Sequence, residues 1–283
     1  MCGCGAHGCR ALLNSRATAP RVLFLRGTLT RPLALFVCVA VLSSCQRVPS
    51  RDRISENHLP RIILWAWERP EDLEFLNPQQ FGIAFLAQTL TIKGSEVLFS
   101  PRHQPLKVPP GAKLIAVTRI ESQKITRQPT ELSDEVRGKL VERIRKTLEL
   151  NNVSAIQVDF DVVTAERSFY RRVLADLRQQ LPDNVPLSMT ALASFCVGDR
   201  WLSDLPVDEA VPMVFRMGTD SDPIKTLLSN GGDFKDDLCR RSYGVALDEP
   251  LKTSFAKQRR IYVFNTRSWT PADVSVLEER FGL

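Results

Sequence analysis

The chain has 283 residues and a formal net charge of +6, from 38 basic and 32 acidic residues. Five of the basic residues are arginines in the first 45 positions, where no acidic residue occurs. Positions 46–283 therefore contain 33 basic and 32 acidic residues, which nearly balance. The basic pI of about 9.0 therefore reflects the N-terminal segment, and the sequence predicts no nucleic-acid partner.

Residues 1–45 have the features of a lipoprotein export signal. Arginines precede an apolar run from Leu33 to Leu42, which is shorter than the roughly twenty residues of a membrane span. The following Leu42-Ser43-Ser44-Cys45 resembles a bacterial lipobox, in which the cysteine is lipidated. The resemblance implies a lipid-anchored protein of the bacterial cell envelope, at the outer membrane facing the periplasm because Gln46 rather than Asp follows Cys45. An ordinary cleaved signal peptide is the alternative, and a start codon assigned too far upstream would explain the length of the segment.

The remainder of the chain reads as a tether, residues 46–60, followed by one domain, residues 61–283. Short apolar runs alternate with helical patterns through the domain. Eight such runs are predicted as strands: 62–67, 81–86, 113–118, 154–161, 186–192, 210–215, 243–247 and 260–265. Helical patterns cover 133–150 and 168–181, and Thr270-Pro271 opens a last helix. This alternation predicts an α/β fold, a (β/α)8 barrel of the TIM type.

One segment departs from the ideal barrel. Residues 90–99 read as a hairpin about Lys93-Gly94-Ser95, in the place of the helix expected after the second strand. The domain is also slightly shorter than the roughly 250 residues of a typical barrel. The sequence therefore predicts a slightly irregular barrel.

The most informative residues are Asp159 and Asp161, at the C-terminal end of the fourth strand. Alternation along a strand places them on one face with Gln157, opposite the apolar residues between them. Catalytic residues of (β/α)8 barrels lie at the C-terminal ends of the strands. The pair is predicted to supply acid, base or transition-state stabilisation, and the alternative is a structural role in capping a helix or bonding backbone.

The run from Asp159 to Asp161 resembles the signature of the family-eighteen, chitinase-like glycosidases, D-x-x-D-x-D-x-E. It matches the second and third Asp of that signature. Ile156 stands at the first position and Val163 stands where the catalytic Glu would be. The resemblance implies a glycoside-hydrolase-like barrel, while the missing Glu, for which Glu166 is a poor substitute, argues against that family's substrate-assisted mechanism.

A second resemblance spans residues 61–283 and is carried by 157–161, 190–193, 198–201 and 208–218. These segments are similar to an exported bacterial family known only as a domain of unknown function. That family is viewed as barrel-like, and it brings no established activity.

Further carboxylates follow other predicted strands. Glu68 follows the first strand and is predicted as a catalytic partner of the Asp pair, with a salt bridge to Arg69 or another surface cation as the alternative. Asp248 follows the seventh strand and is predicted to contact substrate or to serve as the second carboxylate. Asp208 and Glu209 precede the sixth strand, where a stabilising role is expected.

Arginine and tryptophan side chains complete the predicted site. Arg119 and Arg216 end the third and sixth strands and are predicted to bind substrate, with neutralisation of Asp159 or Asp161 as the alternative. Trp67 and Trp269 are predicted to stack on sugar rings, with core packing as the alternative.

Other chemistries find little support in this sequence. Only His58 and His103 follow the leader, and no phosphate-binding glycine motif is present, so no metal site, cofactor or Ser-His-Asp triad is predicted. The spacing of the N-terminal cysteines matches no standard zinc pattern. Cys196 and Cys239 form either a disulfide or two buried thiols.

Three functional hypotheses remain open. The leading one is a lipid-anchored, periplasm-facing barrel that binds or hydrolyses a glycan, with rim carboxylates supplying the chemistry. The second is a non-catalytic barrel that binds a saccharide or an envelope partner. The third is an assembly scaffold with an exposed apolar patch. The expected partners are therefore a carbohydrate ligand and the membrane, the latter through the lipid anchor.

Overall fold

A computed structural model describes residues 58–122 and 132–283. Eleven strands are present in these ranges: β1 (Ile62–Ala66), β2 (Glu71–Asp72), β3 (Phe81–Lys93), β4 (Glu96–Pro101), β5 (Leu106–Lys107), β6 (Leu114–Ser122), β7 (Val153–Asp159), β8 (Leu187–Leu192), β9 (Glu209–Met213), β10 (Ser242–Ala246) and β11 (Arg260–Phe264). The predicted leader, the predicted lipidation site Cys45 and most of the predicted tether lie outside the described residues.

Eight of the strands form a closed parallel barrel in the order β1-β3-β6-β7-β8-β9-β10-β11, and β1 pairs with both β3 and β11 to close it. Each of the eight predicted strands is present, and the predicted TIM-type barrel is confirmed. The second and third strands continue beyond their predicted ends, to Lys93 and Ser122.

The predicted hairpin is also confirmed. β4 runs antiparallel to the distal half of β3, with Glu96 paired to Lys93 and Pro101 paired to Gln88, beyond the part of β3 that pairs with β1. Gly94 lies between the two strands with a φ of 60°, a conformation that glycine adopts at little cost. β2 and β5 add a short parallel pair of their own.

Five α-helices lie in the described ranges: α1 (Asp134–Arg145), α2 (Arg167–Gln180), α3 (Ala193–Gly198), α4 (Ser221–Ser229) and α5 (Pro271–Phe281). The Ser133 side chain accepts a hydrogen bond from the Val136 amide at the start of α1, and Thr270 caps α5 with Pro271 in its first turn. Both helix starts were predicted. None of the helices described is long and apolar enough to cross a membrane.

Apolar side chains form two layers, one between barrel and helices and one inside the barrel. Ile156, Val158 and Phe160 belong to the outer layer. The inner layer contains Trp65, Val117, Val211 and Tyr262 among others. The predicted alternation of the fourth strand is therefore present, because Gln157 projects from β7 toward Trp65 of the inner layer.

A disulfide joins the end of α3 to the segment before β10. Cys196 and Cys239 are both fully buried, and their Cα atoms are 5.9 Å apart. Of the two expectations for this pair, the structure has the disulfide.

Candidate functional site

A pocket of about 190 Å³ opens at the C-terminal mouth of the barrel. Side chains at the ends of six barrel strands line it: Trp65, Trp67, Val117, Arg119, Asp159, Asp161, Thr190, Met213, Phe215, Arg216 and Phe264. Five of the predicted site residues, Asp159, Asp161, Arg119, Arg216 and Trp67, are therefore brought together. Glu68, Asp248 and Trp269 do not line the pocket.

Asp159 is the buried acid of the pocket, with only 5% of its surface exposed. Thr190 Oγ1 donates a hydrogen bond of 2.6 Å to Oδ1, and Arg119 Nη1 donates one of 3.3 Å to Oδ2. The register explains the second contact, because Arg119 and Asp159 are paired neighbours on β6 and β7. Burial raises the pKa of Asp159, and the nearby charge of Asp161 raises it further, against the lowering effects of Thr190 and Arg119.

Asp161 is the exposed acid of the pocket, two residues beyond Asp159. It also lines two adjoining depressions, one of about 460 Å³ beside Glu121 and Glu166 and one of about 230 Å³ beside Ser194 and Asp220. Within the described part of the chain, no hydrogen bond or ion pair engages its carboxylate. Asp161 is therefore available to a ligand from three sides.

Half-buried aromatic rings form one wall of the pocket. Phe215 and Phe264 stack in parallel with centroids 5.5 Å apart, and Trp67 meets Phe264 edge-on at 6.4 Å. Beneath them, Trp65 Nε1 donates a hydrogen bond of 2.8 Å to Gln157 Oε1, which fixes the indole inside the barrel. Such faces bind the C–H surface of a sugar ring through their large apolar area.

The two predicted arginines have different partners. Arg119 pairs with Asp159 and also with Glu121, at 2.8 Å. Arg216 contacts neither pocket acid and pairs instead with Asp248, at 3.0 Å. Of the two roles expected for these arginines, Arg119 has the neutralisation of a pocket acid, and Arg216 does not.

Glu68 requires a correction. Its carboxylate accepts hydrogen bonds from the backbone amides of His103 and Gln104, at 3.0 and 3.1 Å, and so joins the loop after β1 to the chain returning from the hairpin. The alternative, a salt bridge, is not seen for Glu68 within residues 58–122 and 132–283, and Arg69 pairs with Glu71 instead. Glu68 therefore does not line the pocket with the Asp pair, although its neighbour Trp67 does.

Asp248 and Trp269 also differ from expectation. Asp248 lies outside the pocket and reaches it only through its ion pair with Arg216. Trp269 is 4% exposed, and its Nε1 donates to the Trp65 carbonyl oxygen at 3.0 Å. A ring buried in this way cannot stack on a sugar, so Trp269 has the alternative role in the core.

Several lining residues were not predicted from the sequence. Phe264 shares the inward face of β11 with Tyr262, two positions earlier, and Met213 and Phe215 continue the face of Val211. Strand alternation could therefore have found them. Thr190 shares the inward face of β8 with Ser188, so alternation could have found it too, but its hydrogen bond to Asp159 depends on the pairing of β7 with β8.

Glu166 has a structural role at the same rim. One carboxylate oxygen accepts from Ser122 Oγ at 2.7 Å and the other from the Val163 amide at 2.9 Å. Val163, at the position of the glycosidase signature's Glu, is 41% exposed. Glu166 thus fixes the loop that carries Asp161, with both of its oxygens engaged.

The donor set shows no arrangement suited to a metal. In residues 58–122 and 132–283, no group of three or more His, Cys, Asp or Glu side chains could hold such an ion. The chemistry available to this pocket is hydrogen bonding and proton exchange by carboxyl groups, ion pairing by arginine and stacking by aromatic rings.

Comparison with known families adds one match. Residues 110–247 match the family described as a domain of unknown function, DUF3142. The match covers just under half of the chain, and it includes all four segments that carry the second resemblance noted in the sequence. The DUF3142 segment contains Asp159, Asp161, Arg119 and Arg216, but not the aromatic residues of β1 and β11. No curated protein sequence matches the chain.

Two solved structures are similar at a low level. The crystal structure of the Bacillus cereus spore cortex-lytic enzyme SleL has 17% identity and a TM-score of 0.41, over 66% of this chain and 52% of that one. The crystal structure of a family GH18 chitinase from Chromobacterium violaceum has 11% identity and a TM-score of 0.44, over 73% and 78%. The chain thus spans about half the length of SleL. At these scores the likeness bears on neither activity nor substrate.

Proposed function

We propose that the protein binds a glycan at the mouth of its barrel. The observation that carries this proposal is the pairing, in one pocket, of an aromatic wall with an exposed carboxylate, Asp161. Sugar rings have apolar C–H faces and hydroxyl rims, and the two kinds of side chain match the two kinds of surface. The pocket volume of about 190 Å³ suits a single ring, and the adjoining depressions would receive its neighbours.

Titration calorimetry with a panel of envelope and storage oligosaccharides tests this proposal. The full-length chain would carry Cys45→Ser, which removes the predicted lipidation site. We expect at least one glycan to bind, and Trp67→Ala and Asp161→Asn each to weaken binding about tenfold through lost stacking or hydrogen bonding.

Matched controls separate the pocket from general effects. Phe99→Ala removes an exposed ring of β4, and Glu149→Gln removes an exposed carboxylate that precedes β7, at the opposite end of that strand from Asp159; neither residue lines the pocket. Neither should change affinity. Binding that is unaffected by the pocket variants, or absent for every glycan, would reject the proposal.

Hydrolysis is the second candidate, favoured by the contrast between the two acids. Burial raises the pKa of Asp159, while Asp161 is open to solvent, and carboxyl groups in unlike environments can divide the roles of acid and base. The case is weaker than for binding, because Glu68 bonds to backbone and Asp248 pairs with Arg216, so neither faces the pair. Analysis of the same incubations for cleaved products tests it: turnover should vanish in folded Asp159→Asn and Asp161→Asn variants.

We further propose that the barrel acts in the bacterial cell envelope, at the outer membrane facing the periplasm and anchored through Cys45. The lipobox-like sequence supports this location. So does the disulfide between Cys196 and Cys239, because such bonds persist in oxidising compartments. Metabolic labelling with a fatty acid, lost in Cys45→Ser, would test the anchor.

A further inference from the structure

Arg216 is held at the pocket mouth by an uncommon backbone conformation. Its φ is 51°, a region that non-glycine residues keep only where the surroundings fix it. The Glu249 carboxylate provides this constraint: one oxygen accepts from the Arg216 amide at 3.0 Å, and the other pairs with Lys225 at 2.6 Å. The direction in which the Arg216 side chain leaves the backbone is therefore built into the fold.

The ion-pair partner of the Arg216 guanidinium can also be replaced by a ligand. Its partner is Asp248, and the two side chains are 50% and 45% exposed. An ion pair this open to water contributes little to stability, because both charges remain well solvated when they separate. An incoming carboxylate that is already held by the rest of the pocket can therefore replace Asp248.

The partners of Arg119 cannot be replaced in the same way. It is bonded to Asp159 and to Glu121, and loss of the first bond would leave the buried Asp159 carboxylate without a cation. Of the two arginines that line the pocket, Arg216 is thus the one that can accept an anion from a ligand.

The aromatic wall orients the Arg216 side chain toward a ligand. Its guanidinium carbon lies 5.5 Å from the Phe264 ring centroid, and Phe264 belongs to the wall proposed to receive the sugar. The guanidinium lies over the face of this ring, so the wall holds it at the mouth of the pocket, within reach of a substituent on a bound sugar. The planar fork matches a carboxylate. Asp161 lines the same pocket and repels any anion, so a singly charged carboxylate is disfavoured less than a group with two negative charges.

We infer that Arg216 binds a carboxylate on the glycan, so that the ligand is an acidic saccharide, one that contains a uronic acid or a comparable sugar acid. Asp248 occupies this position in the absence of ligand and is displaced by it. The inference rests on the proposed glycan binding and names the class of glycan.

Matched acidic and neutral ligands test this inference. Oligogalacturonates and glucuronate-containing oligosaccharides would be compared with their methyl esters, which keep the sugar backbone and lose the charge. We expect the acids to bind at least about tenfold more tightly than the esters, the effect of one charged hydrogen-bonded contact. Arg216→Gln should reduce that ratio to about one, whereas Arg172→Gln, which removes an exposed charge on α2, should not change it.

A second variant keeps the test independent of the folding of Arg216→Gln. Asp248→Asn removes the competing carboxylate, and Glu249 still holds the backbone, so the acids should bind several-fold more tightly and the esters as before. Equal binding of acid and ester, or an acid preference that survives Arg216→Gln, would overturn the inference. Binding of neutral glycans alone would overturn it and leave the proposed function standing, whereas no glycan binding at all would end both.

Discussion

At the scale of single residues, Asp159 is the side chain whose burial most clearly lowers the stability of the folded state. Burial is the largest influence on it and raises its pKa, so the folded protein disfavours the ionised form. The Arg119 and Thr190 bonds offset part of this cost. A buried acid with a raised pKa at the mouth of a barrel is a functional candidate on physical grounds.

Asp159→Asn should therefore stabilise the protein in a pH-dependent way. In the wild type, the folded state is most stable while the Asp159 carboxyl is neutral, below the unfolded-state pKa of about 3.9. As pH rises through the raised folded-state pKa, the buried carboxyl must ionise and this stability is lost. The variant has no such loss. Its free energy of unfolding relative to wild type should rise with pH across this acidic range and then stay constant, as urea denaturation at a series of pH values would show.

Glu71→Gln is the contrasting variant. Glu71 is 2% exposed, forms an ion pair with Arg69 and accepts a hydrogen bond from the Trp269 backbone amide. Its neutralisation should lower stability at neutral pH by about 3 kcal/mol, because a buried ion pair loses one partner. If Asp159→Asn were less stable than wild type at every pH, Asp159 would be a structural acid of the same kind as Glu71.

At the scale of elements, the hairpin of β3 and β4 changes how the rim is built. The chain that returns from β4 brings Arg102 to the end of β1, where its guanidinium donates to the carbonyl oxygens of Ala66, Trp67 and Arg69. A hairpin in the place of a helix thus supplies the donors that the first strand's end requires. The position of Trp67 in the pocket depends on this contact.

Arg102→Met should lower the free energy of unfolding by about 2–4 kcal/mol, because three carbonyl groups lose a charged donor. It should also weaken glycan binding, since the Trp67 backbone loses its support. Chemical denaturation measures the first effect and calorimetry the second. The matched control is Arg172→Met on the exposed face of α2, which should stay within about 0.5 kcal/mol of wild type.

At the scale of the whole molecule, the barrel could be read from the sequence with its irregularity included. Eight apolar runs, the hairpin about Gly94 and the caps at Ser133 and Thr270 are local patterns, and local patterns determine elements. The sequence also predicted that Gln157, Asp159 and Asp161 share one face, because alternation along one strand does not depend on the neighbouring strands.

The partners of side chains could not be read in the same way. Glu68 bonds to amides 35 and 36 residues away, and Trp269 packs on Trp65, 204 residues away. The Glu68 contacts follow from the pairing of β3 with both β1 and β4. The Trp269 contact follows from closure of the barrel, which brings the first and last strands together. Position after a strand predicted that these residues lie near the rim, but only the register decides which of them turn inward.

The location of a bound glycan tests the central claim most directly. A crystal structure with the tightest-binding oligosaccharide should show a sugar ring against Trp67 and Phe264, with its hydroxyl groups within hydrogen-bond distance of Asp161. Density elsewhere would contradict the account. The cavity of about 570 Å³ beside Asp199 and Asp236 offers a clear alternative location, and a glycan found there would mean that the barrel mouth is not the binding site.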